Sequence, residues 1–188
     1  KNVAKARKLV GSRTAFNLLG PISNPAGVKN QLIGVFSEEY LQRLPSLLKK
    51  KGAENIMTVR SQDGLDELST TSKNQICTLR NGIMKTEIIN PQNLGLKKGV
   101  LKEIQVRTKA DAISAFISVL KNSANYSMMD ITILNAAGGL IVANLAENFP
   151  EGIEIAKNAL QSGKTFELFE DFVRDCGNIQ KLKEFDKS

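Results

Sequence analysis

The sequence contains no histidine and no tryptophan. Without histidine, the chain itself cannot supply a Ser-His-Asp triad, a Cys-His pair, an HExxH metal site or an imidazole general base. Its cysteines, Cys77 and Cys176, are too few for a four-cysteine zinc site. Their number and wide separation point to reduced thiols in a cytosolic protein. No apolar run approaches the roughly 18 residues of a membrane span, and no signal-like stretch follows Lys1. Neither a GxGxxG fingerprint nor a GxxxxGK[ST] loop is present, so a Rossmann dinucleotide site and a P-loop have no support. There is no internal repeat and no low-complexity segment.

What is there describes a globular chain. At 188 residues, 41% hydrophobic and 24% charged, it has the length for one domain with a full core. It starts at lysine rather than methionine, which reads as an internal start. Lys and Arg number 26 against 19 Asp and Glu, a formal charge of +7. The excess is local: Lys1, Lys5, Arg7, Lys8 and Arg13 come before any acid, and the rest is nearly balanced. Such a cluster suits phosphate or carboxylate ligands. Arg7 and Arg13 are candidate anion clamps, because a guanidinium grips either group bidentately. The same charges also describe a solvated terminus. A single-strand nucleic-acid binder interleaves aromatics with its basic residues, and here only Phe16 lies nearby.

The pattern along the chain alternates strands and helices. A helix is predicted over 2–10, then a loop shaped by Gly20-Pro21 and Asn24-Pro25. That loop is either a connector or a wall for a small-molecule pocket. Gln31–Phe36 reads as a buried strand, followed by a helix capped by Ser37, kinked at Pro45 and ended by Gly52. Glu54–Arg60 is a second strand. Lys73–Leu79 and Ile83–Ile89 flank Asn81-Gly82, a type I′ hairpin signal, and residues 90–107 read as irregular. Helices are predicted over Lys109–Leu120 (Ile113, Phe116, Ile117 and Leu120 inward), Met129–Leu145, Glu151–Ser162 and Thr165–Arg174 (Phe166, Phe169, Phe172 and Val173 inward). Lys181–Ser188 reads as frayed. Strand, helix, strand, hairpin and then helices imply a mixed α/β fold with parallel strands.

Asp63-Gly64-Leu65-Asp66-Glu67 is the most informative local feature. Three carboxylates crowd five residues just past a predicted strand, and open α/β sheets bind ligands at the carboxyl ends of strands. Adjacent Asp66 and Glu67 repel, so they gain from a shared cation. Mg²⁺ suits them, because it takes one or two carboxylates and completes its shell with water and phosphate oxygens. A polar turn carries the same residue types. Gly138-Gly139, inside a helical pattern, reads as tight helix packing rather than a phosphate cradle.

Several blocks together resemble the anthranilate phosphoribosyltransferases. They are Lys1-Asn2-Val3-Ala4, Arg7-Lys8, Arg13-Thr14 with Phe16-Asn17-Leu18-Leu19-Gly20-Pro21, Asn24-Pro25-Ala26, Gln31, Gly34-Val35-Phe36, Asp63 through Ser69, Leu134-Asn135-Ala136-Ala137 and Glu151-Gly152. The resemblance spans nearly the whole chain. It implies transfer of the phosphoribosyl group from 5-phosphoribosyl 1-diphosphate to the amine of anthranilate, in tryptophan biosynthesis, in the cytoplasm. It implies part of a large α/β domain, nucleoside phosphorylase/phosphoribosyltransferase-like, with a mostly parallel sheet, an inserted β-hairpin and flanking helices. Residues 1–188 correspond to the C-terminal portion of that domain, with the family's helical domain and glycine-rich diphosphate loop upstream. By resemblance Arg7 binds the anthranilate carboxylate, Pro21 lines its pocket, and Asp66 and Glu67 bind Mg²⁺. No residue is assigned as a catalytic acid, base or nucleophile, and Arg13 is structural or anion-binding. The resemblance implies a homodimer for the full-length protein and no membrane association. The alternative is a non-catalytic nucleic-acid-binding relative of the same fold. The sequence departs from the family at Val59-Arg60-Ser61, where Val-His-Gly is common, at Gly138-Gly139 and at Pro45.

Overall fold

The computed structural model describes Gly20 and residues 22–186. The predicted helix over 2–10, Arg7, Arg13 and Pro21 lie outside the described residues. Among those described, the chain opens as a strand–helix–strand unit: β1 (Asn30–Gly34), α1 (Glu39–Lys50) and β2 (Asn55–Ser61). The crossover through α1 lets β1 and β2 run parallel, with Leu32 opposite Met57. β3 (Asn74–Arg80) and β4 (Ile83–Ile89) follow, and the sheet order is β1-β2-β3-β4.

Among the described residues the sheet is mixed. The chain reverses twice without a crossover helix, so β2 pairs antiparallel with β3 and β3 with β4. The first reversal is the loop over 62–73. The second is Asn81-Gly82, with φ of 53° and 74°, the left-handed pair that a type I′ turn demands. The hairpin therefore extends the sheet itself. Its outer strand is largely exposed and carries a Lys85–Glu87 ion pair of 2.7 Å, charge that discourages edge-to-edge pairing.

α1 covers one face of the sheet. Leu41, Leu44 and Leu48 recur at helical spacing and pack with Ile33, Val35, Ile56, Cys77 and Leu79. Ser37 does not cap α1 with its hydroxyl. Glu38 is the N-cap residue, its side chain making no bond to the helix end, and Ser37 instead accepts from Tyr40 N–H through its carbonyl at 3.1 Å. Pro45 is buried inside the helix, which runs on to Lys50. Gly52 at φ 87° ends it: Gly52 N–H bonds Lys49 O and Ala53 N–H bonds Leu48 O, both at 3.0 Å.

Helices cover the other face. After a 3₁₀ turn (Pro91–Leu94) come α2 (Leu101–Ile104), α3 (Lys109–Leu120), α4 (Tyr126–Val142), α5 (Phe149–Gln161), α6 (Lys164–Cys176) and α7 (Ile179–Asp186). Asn125 caps α4, accepting from Met128 N–H at 3.0 Å, so that helix begins three residues earlier than its apolar run. α4 and α5 bring Leu134, Ala137, Ile153, Ala156 and Leu160 onto Met57, Val59, Leu68 and Ile76. The two helices touch closely: a Cβ at Gly152 would lie 3.0 Å from Ala137 Cα. Gly138 faces Leu68 and Leu32, as tight packing predicts, whereas Gly139 has open space beside it.

Two expectations for the last helices fail. α6 buries no side chain, and Leu168 and Phe172 are 71% and 63% exposed. Its main neighbours are α3, α5 and α7, too little surface to cover its apolar stripe. Phe116 of α3 is likewise half exposed and meets Phe169 edge-on, with centroids 5.1 Å apart. Of the segment read as frayed, residues 181–186 belong to α7, anchored by buried Leu182.

Cys77 is fully buried, and that burial, only partly offset by the Thr86 hydrogen bond, pushes its thiol above the ordinary value. Cys176 is exposed. A disulfide-exchange reagent should therefore titrate one thiol in the native protein and both after denaturation. Rapid native reaction of both would contradict this core.

Candidate active site

The acidic loop leaves β2 at Ser61 and returns into β3 at Asn74, at the carboxyl ends of parallel β1 and β2. That is where a sheet of this kind presents a ligand site. Asp63 is the hub of the loop and faces into it. Its Oδ1 accepts from the Ser61 hydroxyl and from Leu65 N–H at 3.3 Å. Its Oδ2 accepts from the Thr71 hydroxyl and from Ser69 Oγ at 2.7 Å. Gly64 makes the turn at φ 94°, and Ser61 N–H closes it onto Leu65 O at 3.0 Å. Ser61, one of the departures from the family pattern, thus contributes a hydroxyl that organises the loop. Partial burial opposes ionisation of Asp63, but the bonds from Ser61, Thr71, Ser69 and Leu65 outweigh it and hold the carboxyl below the usual range.

The next residues are seated from three directions. Asn135 of α4 bonds both backbone groups of Leu68, accepting from its N–H at 3.0 Å and donating to its carbonyl at 2.7 Å. Asn74 does the same for Ser69, at 2.7 and 2.9 Å. The Asp66 carbonyl lies against Gly34 at the end of β1, where an added Cβ would fall 1.6 Å from its oxygen. No side chain fits there.

Asp66 and Glu67 are left at the exposed crest. Neither carboxylate has an ion pair or hydrogen bond among the described residues. Partial burial, then the charges of Asp66 and Asp63, raise Glu67 above the usual glutamate value. Glu67 also borders an apolar cavity of about 260 Å³ between α3 and α4, lined by Val106, Phe116, Val119 and Ile131. A larger cavity of about 390 Å³ opens near Asn55, at the opposite end of β2, away from the acidic loop.

The structure therefore divides the three carboxylates that the sequence lists together. Asp63 is consumed internally, while Asp66 and Glu67 are exposed, their oxygens unpartnered among the described residues. Among the described residues no three His, Cys, Asp or Glu side chains converge into a metal cage. Two hard oxygen donors on a rigid turn fit a cation that keeps water or phosphate in its shell, as Mg²⁺ does. Residue patterning missed Asn74, Asn135 and Gly34 as supports. The available signal was Asn135, an amide in the middle of a mostly apolar helix.

Residues 1–166 match the family described as glycosyl transferase family, a/b domain, and the chain belongs to that family. It is 59% identical over 184 residues to an anthranilate phosphoribosyltransferase of Nitrosopumilus maritimus, covering 98% of this chain and 53% of that protein. The crystal structure of the anthranilate phosphoribosyltransferase of Thermus thermophilus superposes with a TM-score of 0.82 at 31% identity, covering 92% of this chain and 50% of that one. The Saccharomyces cerevisiae enzyme in complex with PRPP and Mg gives a TM-score of 0.79 at 28% identity, with the same coverage. The chain thus spans about half the length of the relatives it matches. Among the described residues no helix is long and apolar enough to cross a membrane.

Asp63 should make stability depend on acid. Its folded pKa is lowered, so its contribution is present above the ordinary carboxylate value and is lost as pH falls through the folded one. Asp63→Asn should therefore be less stable than wild type at neutral pH, with the deficit closing in acid. Urea midpoints across that range test this, and a deficit constant with pH would contradict it.

Proposed function

We propose that this chain is the C-terminal portion of the α/β domain of an anthranilate phosphoribosyltransferase. The observation that carries the reading is the outward pair Asp66 and Glu67, unpartnered among the described residues and held on a rigid loop at the carboxyl ends of the strands. The relatives' names and the Mg- and PRPP-bound yeast structure support it. The helical domain and the glycine-rich diphosphate loop lie upstream in this reading. The 188 residues alone are then inactive, the full-length protein is a homodimer, and it works in the cytoplasm.

In the reaction the anthranilate amine attacks the anomeric carbon of 5-phosphoribosyl 1-diphosphate. The C–N bond forms as the bond to diphosphate breaks, and the amine gives up a proton. Because the amine is itself the nucleophile, the chain needs no nucleophilic side chain, consistent with its lack of histidine. Asp66 and Glu67 would hold Mg²⁺, which when bound would offset negative charge on the diphosphate. Arg7 grips the anthranilate carboxylate, and Pro21 walls the acceptor pocket, so that the amine faces the reacting carbon.

In the full-length protein, Asp66→Ala/Glu67→Ala should lower kcat/KM by on the order of 10²-fold and flatten its response to added Mg²⁺. Full activity across Mg²⁺ concentrations would remove the assignment. Arg7→Ala should raise the KM for anthranilate far more than that for the diphosphate substrate, and equal effects would remove its role.

A further inference from the structure

Leu68 and Ser69 are fully buried, yet neither belongs to a strand. Their backbone groups need partners, because a buried peptide group left unpaired forfeits its bonds to water and gains nothing in return. Asn135 supplies both partners for Leu68, and Asn74 supplies both for Ser69. Each amide stands in for the neighbouring strand that the loop lacks.

The two clamps differ in what they can control. Asn74 begins β3 and is fully buried, so it belongs to the sheet itself. Asn135 reaches out from the middle of α4, half-buried, and its amide also donates to Ile131 O at 2.9 Å. That bond to its own helix fixes the rotamer and aims the amide at the loop. Glu67 is the residue immediately before Leu68, and Asp66 is already seated on Gly34. The Asn135 amide therefore fixes the loop on one side of the acidic pair and Gly34 on the other. Two adjacent carboxylates repel, and an untethered turn would let them splay apart.

We infer that Asn135 is a positioning residue for the Asp66–Glu67 pair, holding both carboxylates in place for a divalent cation before it arrives. The inference rests on the reading of those carboxylates as cation ligands. It predicts that loss of the amide weakens metal binding in the way that loss of an outer-shell support does, by about tenfold or more.

The test is Mn²⁺ binding to the full-length protein, followed by the electron paramagnetic resonance of the free ion. Asn135→Leu removes both loop bonds and should weaken Mn²⁺ affinity about tenfold or more. Asn135→Asp keeps the acceptor for Leu68 N–H, loses the donor to its carbonyl, and should fall between Asn135→Leu and wild type. Ile56→Val, which trims the core beneath α1 at the end of β2 opposite the loop, should lower Tm and leave Mn²⁺ affinity unchanged. Wild-type affinity in folded Asn135→Leu overturns the positioning role. Should that variant not fold, wild-type affinity in Asn135→Asp overturns it instead. A wild-type protein that binds no Mn²⁺, or an Asp66→Ala/Glu67→Ala variant that binds it normally, overturns the metal reading beneath it. Equal losses of affinity in Asn135→Leu and Ile56→Val reduce Asn135 to a general stability role and overturn the inference.

Discussion

A buried peptide must have its hydrogen bonds satisfied, and the root of the loop between β2 and β3 meets that demand without a strand beside it. Leu68 is held by Asn135, Ser69 by Asn74, and the Thr70 carbonyl by Gln92 Nε2 and Gly99 N–H, each at 3.1 Å. Unmet, the groups of these three consecutive residues would together cost several kcal/mol, a large share of the roughly 5–15 kcal/mol that a domain has in total. The partners come from β3, from the turn after β4 and from α4. The loop can be built only once sheet and helical layer have come together, so the acidic crest depends on the whole packed fold.

α4 shows how the layers serve the loop. Its apolar residues form the core with the sheet and α5. Its polar residues reach the backbone of segments crossing it: Ser127 Oγ accepts from Val100 N–H at 3.0 Å, Asp130 from Lys97 N–H at 2.9 Å, and Asn135 takes Leu68. A nearly uniform apolar helix thus carries its own fastening points for irregular chain. The Gly152–Ala137 contact draws α5 against the same helix. The result is a rigid platform under Asp66 and Glu67, as a site that must be formed before its ligand arrives requires.

Much of the architecture was legible in the residues. The Asn81-Gly82 turn, the Lys109–Leu120 helix and the Gly52 stop follow from backbone preferences acting over a few residues, and the structure has all three. Strand pairing was less legible. The alternation of strands and helices at the start implies parallel strands, and β1 and β2 are parallel, but the direction of each later pairing is decided by how the loop returns the chain. The aromatic stripe of α6 read as inward because periodicity reports amphipathicity and says nothing of what covers a face. The site was legible as a cluster of acids, while the separate tasks of those acids were not. Asp63 and Asp66 have the same chemistry, and the hydroxyls and the Leu65 N–H folded around Asp63 set them apart.

By itself, the sequence determined that these 188 residues supply no imidazole, the basic cluster before residue 14, the hairpin turn and the placing of three carboxylates just past a strand, because these depend on composition or on neighbours along the chain. Only the tertiary structure decided which carboxylates are free, why position 34 must be glycine, and which distant amides hold the crest. Those outcomes join Gly34, Asp66 and Asn135, residues far apart in sequence, through contacts of a few ångströms that exist only once sheet and helices have packed.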